Sequence, residues 1–330
     1  MTDRLMQPSS LESDVSLEGS LRPRKLQDFI GQKLIHESLE VALKAAAKRG
    51  DPLDHLLLYG PPGLGKTTLA YIIASELGSA VHITAGPSMT RAGDLASLLT
   101  NLEKGDVLFI DEIHRMSKAV EETLYSAMEE FRLDIILGKG PAARSVSLDI
   151  KPFTLVGATT KYGALSSPLR SRFGMVQKLV FYREDEIATI IEHSAKILKV
   201  KVQKDATREL SRRARGIPRI ANRLLKRARD MAEIHYDGEI TVKAVEETLR
   251  LLKIDNLGLD ESDREVLRTI IKNHKGGPVG IDTIAASLSE DVETIEEVYE
   301  PFLLSAGLLA RTKQGRVVTD HAYTHLGLAK

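Results

Sequence analysis

Gly60-Pro61-Pro62-Gly63-Leu64-Gly65-Lys66-Thr67 fits the pattern G-x-x-x-x-G-K-[ST] and stands between a short apolar run and a helical pattern. Leu56-Leu57-Leu58-Tyr59 before it reads as a buried strand. Thr67 to Leu77 after it reads as a helix, with Gly78 as its C-cap. In such a turn the glycines let backbone N–H groups face inward around an anion, and the helix N-terminus adds partial positive charge. Lys66 is then placed to reach the outer phosphates of a nucleotide, and the Thr67 hydroxyl to ligate Mg2+. Val107-Leu108-Phe109-Ile110-Asp111-Glu112 is an apolar strand ending in two carboxylates, which a buried strand seldom carries without a cation or partner. Asp111 completes the Mg2+ shell in this reading and Glu112 polarises the attacking water, so hydrolysis is expected as well as binding.

Outward from this stretch, apolar runs alternate with helical patterns, which predicts an α/β core with a parallel sheet. Ala80 to Thr84, Val107 to Ile110, Phe153 to Ala158 and Val176 to Phe181 are the further strands; Leu39 to Lys48, Asp94 to Asn101 and Ser117 to Glu130 are the helices. Between Arg132 and Ile150 the rhythm breaks: Leu133, Ile135 and Leu137 alternate, Gly138-Lys139-Gly140-Pro141 turns, and Val146, Leu148 and Ile150 alternate again. This predicts an inserted β-hairpin. After Tyr182 the pattern is helical (Glu184 to Leu198, Asp205 to Ala214, Pro218 to Ile234, Thr241 to Leu252), with Pro218 at a first helical position and Asp205 and Thr241 as N-caps. A third unit carries three helices (Ser262 to His274, Ile281 to Leu288, Asp291 to Ser305) and a terminal hairpin turning at Gln314-Gly315, the plan of a winged helix. The expected division is a mobile tail at 1–20, an ATPase core at 21–182, a small helical lid at 183–254 and a winged helix at 255–330.

Composition narrows the classes. The chain has 330 residues, enough for two or three domains, and Lys plus Arg (46) equals Asp plus Glu (46). The charge is uneven, however: Lys201 to Arg229 holds eleven Lys/Arg against two Asp/Glu, and Asn256 to Lys330 eight against twelve. The absence of cysteine excludes disulfides, thiolate metal sites and a cysteine nucleophile, and fits a reducing cytoplasm. No histidine has metal-ligand spacing. The first twenty residues lack the apolar core of a signal peptide, and no apolar run approaches the roughly 18 residues of a membrane span.

Together with the phosphate loop, the Asp-Glu-Ile-His of 111–114 and Leu169-Arg170-Ser171-Arg172-Phe173 resemble AAA+ ATPases. Leu21 to Gln32 (LRPRKLQDFIGQ), Gly157 to Thr160 (GATT), Ser166 to Gly174 (SSPLRSRFG) and Gly216 to Arg227 (GIPRIANRLLKR) resemble, more narrowly, the RuvB family of bacterial branch-migration motors. The likeness runs from about Leu21 to the end of the chain. It implies an AAA+ core with an inserted hairpin, a lid and a winged helix. The implied activity is an ATP-driven motor that moves duplex DNA at four-way junctions in recombination and repair. It implies ATP and Mg2+ as cofactors, with Gly63, Gly65, Lys66, Thr67 and Thr68 cradling the nucleotide and Thr67 and Asp111 holding the metal. Thr160 corresponds to a sensor of the γ-phosphate and water. Arg172 matches an arginine finger acting on the neighbouring subunit's ATP, with Arg170 a weaker candidate for the same interface. Arg219 matches a second sensor within its own subunit. Leu21, Arg22 and Tyr182 match positions lining the adenine and ribose pocket, and Glu129, Glu130 and Phe131 match nucleotide-proximal positions. The implied assembly is a hexameric ring working with the junction-binding protein RuvA and the resolvase RuvC.

In helix-turn-helix proteins the third helix reads the major groove. Here that helix carries Asp291, Glu293, Glu296, Glu297 and Glu300, which phosphate would repel. DNA contact is therefore expected on the wing, at Arg311 and Arg316 with Lys313 nearby, and its phosphate-directed character suits a motor indifferent to sequence. Arginines of the resembled family stand at the first two positions. The segment Lys201 to Arg229 is a second candidate. An apolar hairpin without cover reads as a docking surface, and the family likeness assigns it to RuvA through Ile135, Leu137, Val146 and Leu148. Two other classes share parts of the pattern: a clamp-loader-like switch and a nucleotide-gated winged-helix regulator. Salt dependence and sequence preference of DNA binding separate them from a motor.

Overall fold

The computed structural model describes residues 5–6, 19–137 and 144–329, with the backbone alone for 135–137 and 144–146. The first half supplies seven strands: β1 (Leu56–Tyr59), β2 (Val81–Ala85), β3 (Val107–Asp111), β4 (Arg132–Leu137), β5 (Arg144–Asp149), β6 (Thr154–Thr159) and β7 (Met175–Lys178). Five of them form one sheet, all pairs parallel, in the order β2-β3-β6-β1-β7. Parallel strands need both faces covered, and β1, β3 and β6 bury nearly every side chain. The cover comes from α1 (Lys33–Arg49), α2 (Lys66–Leu77), α3 (Ala92–Thr100), α4 (Lys118–Glu130) and the short α5 (Ser167–Ser171). One core cluster gathers Leu99 of α3 and Val120 and Leu124 of α4 with Leu57, Leu108, Ile110 and Leu155 of the sheet. His55 ties this core together: its Nδ1 accepts from Leu155 N–H at 2.9 Å, so Nε2 is the protonated nitrogen facing Met128 O at 3.0 Å. Burial pushes its pKa down, in keeping with that neutral ring.

The strand expected over Val176 to Phe181 is the edge strand Met175–Lys178. Beyond it the Gln32 side chain replaces a neighbouring strand, donating to Val180 O at 2.6 Å and accepting from Val180 N–H at 3.2 Å. Within the N-terminal stretch Met6 is buried, and Leu5 O accepts from Arg223 Nη1 at 3.2 Å.

The inserted hairpin is β4 with β5, in the register Leu133↔Leu148 and Ile135↔Val146. Leu133 at its base is buried in the core, while Leu148 opposite is 39% exposed. The turn expected at Gly138 to Pro141 lies outside the described residues.

The chain divides into two compact units: Arg22–Gly60 with Leu64–Val180, and Phe181–Lys330 with Pro61–Gly63 and the residues up to Leu21. The second unit opens with a helical layer: α6 (Glu184–Ile197), α7 (Lys204–Arg213), α8 (Pro218–His235) and α9 (Val242–Leu251). Pro218 opens α8, and Thr241 caps α9 by accepting from Ala244 N–H at 3.2 Å. Gln203, not Asp205, precedes α7; Asp205 lies in its first turn, where its charge still favours the helix N-terminus. Two residues on either side, β8 (Lys201–Val202) and β9 (Glu239–Ile240), pair in parallel, a ladder too short to leave a periodic signal.

The winged helix follows: α10 (Glu261–His274), α11 (Ile281–Leu288), and a third helical run made of α12 (Val292–Thr294), a π-helical stretch (Ile295–Tyr299) and α13 (Glu300–Ser305). Pro301 has no N–H for the carbonyl four residues back, and the wide π stretch ends just before it. The wing is β10 (Leu309–Thr312) with β11 (Gly315–Val318). Gly315 pairs with Thr312 inside the ladder, so the turn is Lys313-Gln314, one residue earlier than expected. A further helix, α14 (Asp320–Leu326), follows the hairpin, where none was expected.

Lid and winged helix are locked by a buried ion pair. Arg215 donates from Nε to Gly258 O at 2.8 Å, bonds Asp263 through Nη2, and stacks 4.4 Å from the Phe302 ring centroid. Asp263 N–H in turn donates to Asp260 Oδ1 at 2.9 Å, capping α10. Burial, then the Asp263 charge, push the Asp260 carboxyl up to about 7 against the pull of Arg215. Its folded pKa lies above the ordinary 3.8, so its contribution is full below about pH 4 and is lost as the pH rises towards 7. Asp260→Asn keeps the cap oxygen and removes the charge. It is expected to raise Tm at pH 8 and leave it nearly unchanged at pH 4; equal shifts at both pH values would contradict this.

Candidate nucleotide site

All five sheet strands run the same way, so the ends of β1, β6 and β3 lie side by side along one edge, where open α/β sheets bind ligands. β1 runs into Gly60, whose φ is 144° and whose missing Cβ would lie 2.4 Å from Leu179 O, so only glycine fits there. Gly63 and Gly65 are also left-handed, at φ 79° and 104°, and Gly65 leads into α2. No side chain caps α2, which leaves its first N–H groups to the loop, as an anion site requires. Lys66 is buried and donates from Nζ to Gly60 O at 2.8 Å. Thr67 and Thr68 sit half-buried in the first turn.

β3 ends in Asp111, whose Oδ1 accepts from Glu112 N–H at 3.0 Å. Glu112 itself has φ 47°, a left-handed conformation that costs a non-glycine residue roughly 1–2 kcal/mol and recurs at functional sites. Gly86 permits it: a Cβ there would lie 2.3 Å from Glu112 O. The Glu112 carboxylate is held from two sides. Thr160, just past the end of β6, donates to Oε2 at 3.3 Å, and His114 Nδ1 lies 3.4 Å from the same oxygen. That ring nitrogen is also 2.9 Å from Thr159 Oγ1. The structure thus brings together Asp111, Glu112 and Thr160, all singled out in the sequence. It adds His114 and Gly86, which were not: His114 lay inside the quoted acidic motif, whereas nothing in the sequence marks Gly86 as touching Glu112.

Arg172 belongs to a different cluster. It donates to Pro168 O at 2.8 Å and to Glu129 Oε2 at 3.2 Å, and stacks 4.4 Å from the Tyr125 ring centroid. Glu129 and Glu130 are exposed at the end of α4. Phe131 turns its ring inward, 6.0 Å from Phe153 and 6.3 Å from His55, so its side chain serves packing. Arg170 lies over Tyr162 at 5.3 Å and Arg22 over Tyr71 at 4.2 Å.

In the second unit Leu21 and Tyr182 are buried, and Tyr182 N–H donates to Gly216 O at 2.9 Å. Arg219 stands in the first turn of α8, its N–H 3.4 Å from Gly63 O. On the wing, Arg311 and Arg316 pair across the ladder and both bond Glu300. Glu300 is 1% exposed, so it does not present to solvent the charge expected of this helix.

A phosphate loop on a central parallel strand, paired acids on a nearby strand and a polar residue at the end of the strand between them define a P-loop ATPase of the AAA+ class. Residues 21–179 match the Holliday junction DNA helicase RuvB P-loop domain, 182–255 the RuvB AAA lid domain and 256–327 the RuvB C-terminal winged helix domain. Holliday junction branch migration complex subunits RuvB of Chloroflexus aurantiacus and Chloroflexus aggregans are each 55% identical over 326 residues, 99% of this chain and 93% of theirs. The Thermotoga maritima RuvB Holliday junction branch migration motor is 52% identical, with a TM-score of 0.87 over 94% of this chain and 99% of that one. The chain belongs to the RuvB family. No described helix is long and apolar enough to cross a membrane.

His114→Ala removes a neighbour of the Glu112 carboxylate without touching the phosphate loop. ATP turnover is expected to fall about tenfold with nucleotide affinity unchanged, the size of one lost hydrogen bond in the transition state. Unchanged turnover would show that His114 only packs.

Proposed function

We propose that this chain is an ATP-driven motor that moves duplex DNA to drive branch migration of four-way junctions in recombination and repair. The observation that carries the reading is the hydrolytic arrangement at the strand ends: Glu112, held by Thr160 and beside Asp111, in a chain that also bears a winged helix. A carboxylate fixed by neighbouring donors can orient and polarise a water for attack on a γ-phosphate. Lys66 and the N–H groups of Gly63, Gly65, Thr67 and Thr68 bind the phosphates; Leu21, Arg22 and Tyr182 bind the adenine and ribose; Arg219 senses the phosphates. The Thr67 hydroxyl and Asp111 carboxylate are hard oxygen donors that suit Mg2+, which takes one or two protein ligands and completes its shell with phosphate and water. When bound, it neutralises charge on the phosphates.

Arg172 sits on an outer cluster with the exposed Glu129 and Glu130, an arrangement suited to acting on a neighbouring subunit's ATP. Such a finger is worth about 10³–10⁵ in rate. The assembly is then a ring, a homo-hexamer by family likeness, and a single chain alone is a poor ATPase. The hairpin 132–150, with Leu148 half-exposed, docks the junction-binding protein RuvA, and the resolvase RuvC joins the same complex in the cytoplasm. Functionally the chain divides into the ATPase core 21–182, the lid 183–254 and the winged helix 255–330. Phosphate release swings the lid, and the winged helix, gripping duplex through Arg311 and Arg316, drags the DNA.

ATP-driven separation of a synthetic four-way junction, with the junction-binding partner present, tests this reading. Wild type is expected to separate the arms, and Glu112→Gln to bind ATP and leave them joined. ATP hydrolysis with the junction left intact would retain the ATPase and overturn the motor, leaving a clamp-loader-like switch or a nucleotide-gated regulator.

A further inference from the structure

Arg311 and Arg316 stand directly opposite each other on β10 and β11, so their side chains share one face of the wing. Two cations so placed repel each other. The chain resolves this with Glu300, the first residue of α13, inserted between them. Its Oε1 accepts from Arg311 Nε and Arg316 Nε, both at 3.0 Å, and its Oε2 from Arg311 Nη2 at 2.7 Å and Arg316 Nη2 at 3.0 Å. Burial pushes this carboxyl up, but the hydrogen bonds from Arg311 and Arg316 outweigh it and hold the group below the usual carboxylate range. The Arg316 backbone is fixed as well, exchanging both its N–H and C=O with Val279 at 2.8 and 3.0 Å. Arg311 is the outward member, its side chain 51% exposed against 13% for Arg316, and Glu296 lies 3.7 Å from its Nη2.

Each guanidinium spends its Nε–Nη2 edge on Glu300 and has its Nη1 on the opposite side of the fork. An incoming phosphate can therefore meet the outer edge of Arg311 without displacing Glu300. The charge it meets is reduced, because two cations and one buried carboxylate sum to a single positive charge.

We propose that Glu300 sets the strength of the wing's grip on DNA. By neutralising one of the two arginines and fixing both, it leaves the Arg311–Arg316 pair one net positive charge towards duplex DNA, weak enough to be released as the motor advances. The proposal rests on the reading of the wing as the DNA contact, and the closing test separates the two.

Full-length protein is titrated with unrelated duplexes across a range of salt. The slope of log K against log salt changes by about 0.9 for each DNA phosphate that the protein neutralises. Arg311→Gln is expected to weaken binding and flatten the slope by about 0.9 per engaged wing. Glu300→Gln, isosteric and uncharged, is expected to tighten binding about fivefold and steepen the slope by a similar step. The double variant Glu300→Gln/Arg311→Gln is expected to return the slope to the wild-type value. Glu296→Gln removes a screening charge outside the buried cluster and is expected to tighten binding in the same direction by less; it decides the matter if Glu300→Gln does not fold. If Arg311→Gln weakens binding but neither glutamate variant tightens it, the tempering role of Glu300 is overturned and the DNA-contact reading stands. If Arg311→Gln leaves binding unchanged, the wing is not the DNA contact and both fall.

Discussion

A guanidinium with 2% of its side chain exposed joins the helical lid to the winged helix: Arg215, held by Gly258 O, by the fully buried Asp263 and by the face of Phe302. Stripping an arginine of water costs several kcal/mol, and only a complete set of partners offsets it; leaving one partner alone typically costs about 3–5 kcal/mol. The pair is thus intolerant of losing either partner, and further contacts tie the same two layers together. Arg264 bonds Asp255 and Lys253 O, His325 bonds Asp255, and Gly258 passes so close to Arg213 O that a Cβ would lie 2.9 Å from it. Packed in this way, lid and winged helix are expected to move as one lever, which the proposed swing would need to carry force from nucleotide to DNA.

The position of Arg215 in the chain gives the joint its meaning. Arg215 and Gly216 are both left-handed, at φ 57° and 67°, and reverse the chain between α7 and α8. Four residues on, Arg219 opens α8 with its N–H against Gly63 of the phosphate loop. One short segment therefore holds the winged helix at one end and meets the nucleotide-binding loop at the other. The wing shows a related economy, since Arg311 and Arg316 are built into a triad with Glu300 and are not loose side chains. At the strand ends and on the wing alike a carboxylate is fixed by its neighbours, Glu112 by Thr160 and Glu300 by Arg311 and Arg316.

Much of this was legible in the sequence alone. The phosphate loop, the acid pair and the strands that carry them are local patterns, because a buried parallel strand is a continuous apolar run and an anion cradle needs glycines at fixed spacing. What escaped depends on contacts far apart in sequence. Glu300 looked like one more solvated acid on an acidic helix, and only the fold brings Arg311 and Arg316 around it. Gly86 meets Glu112 across neighbouring strand ends that no spacing reveals, whereas His114 stood two residues from Glu112 inside the quoted motif. The β8–β9 ladder is two residues long on each side and leaves no period. The final helix α14 did have signals, Thr319 capping Ala322 N–H and Gly327 closing the end, but only seven residues between them. Phe131 turned inward because Phe153 and His55 lay there to receive its ring.

The lever can be tested directly in a chain that has no cysteine of its own. Spin labels at Arg208→Cys on α7 and Lys313→Cys on the wing, both exposed positions, report the lid-to-wing distance by double electron–electron resonance. Measured without nucleotide, with ADP, and with ATP held by Glu112→Gln, the distance is expected to be single, narrow and the same in all three states. A distance that broadens or shifts with nucleotide would contradict the rigid joint at Arg215, and force would then have to reach the DNA by another route.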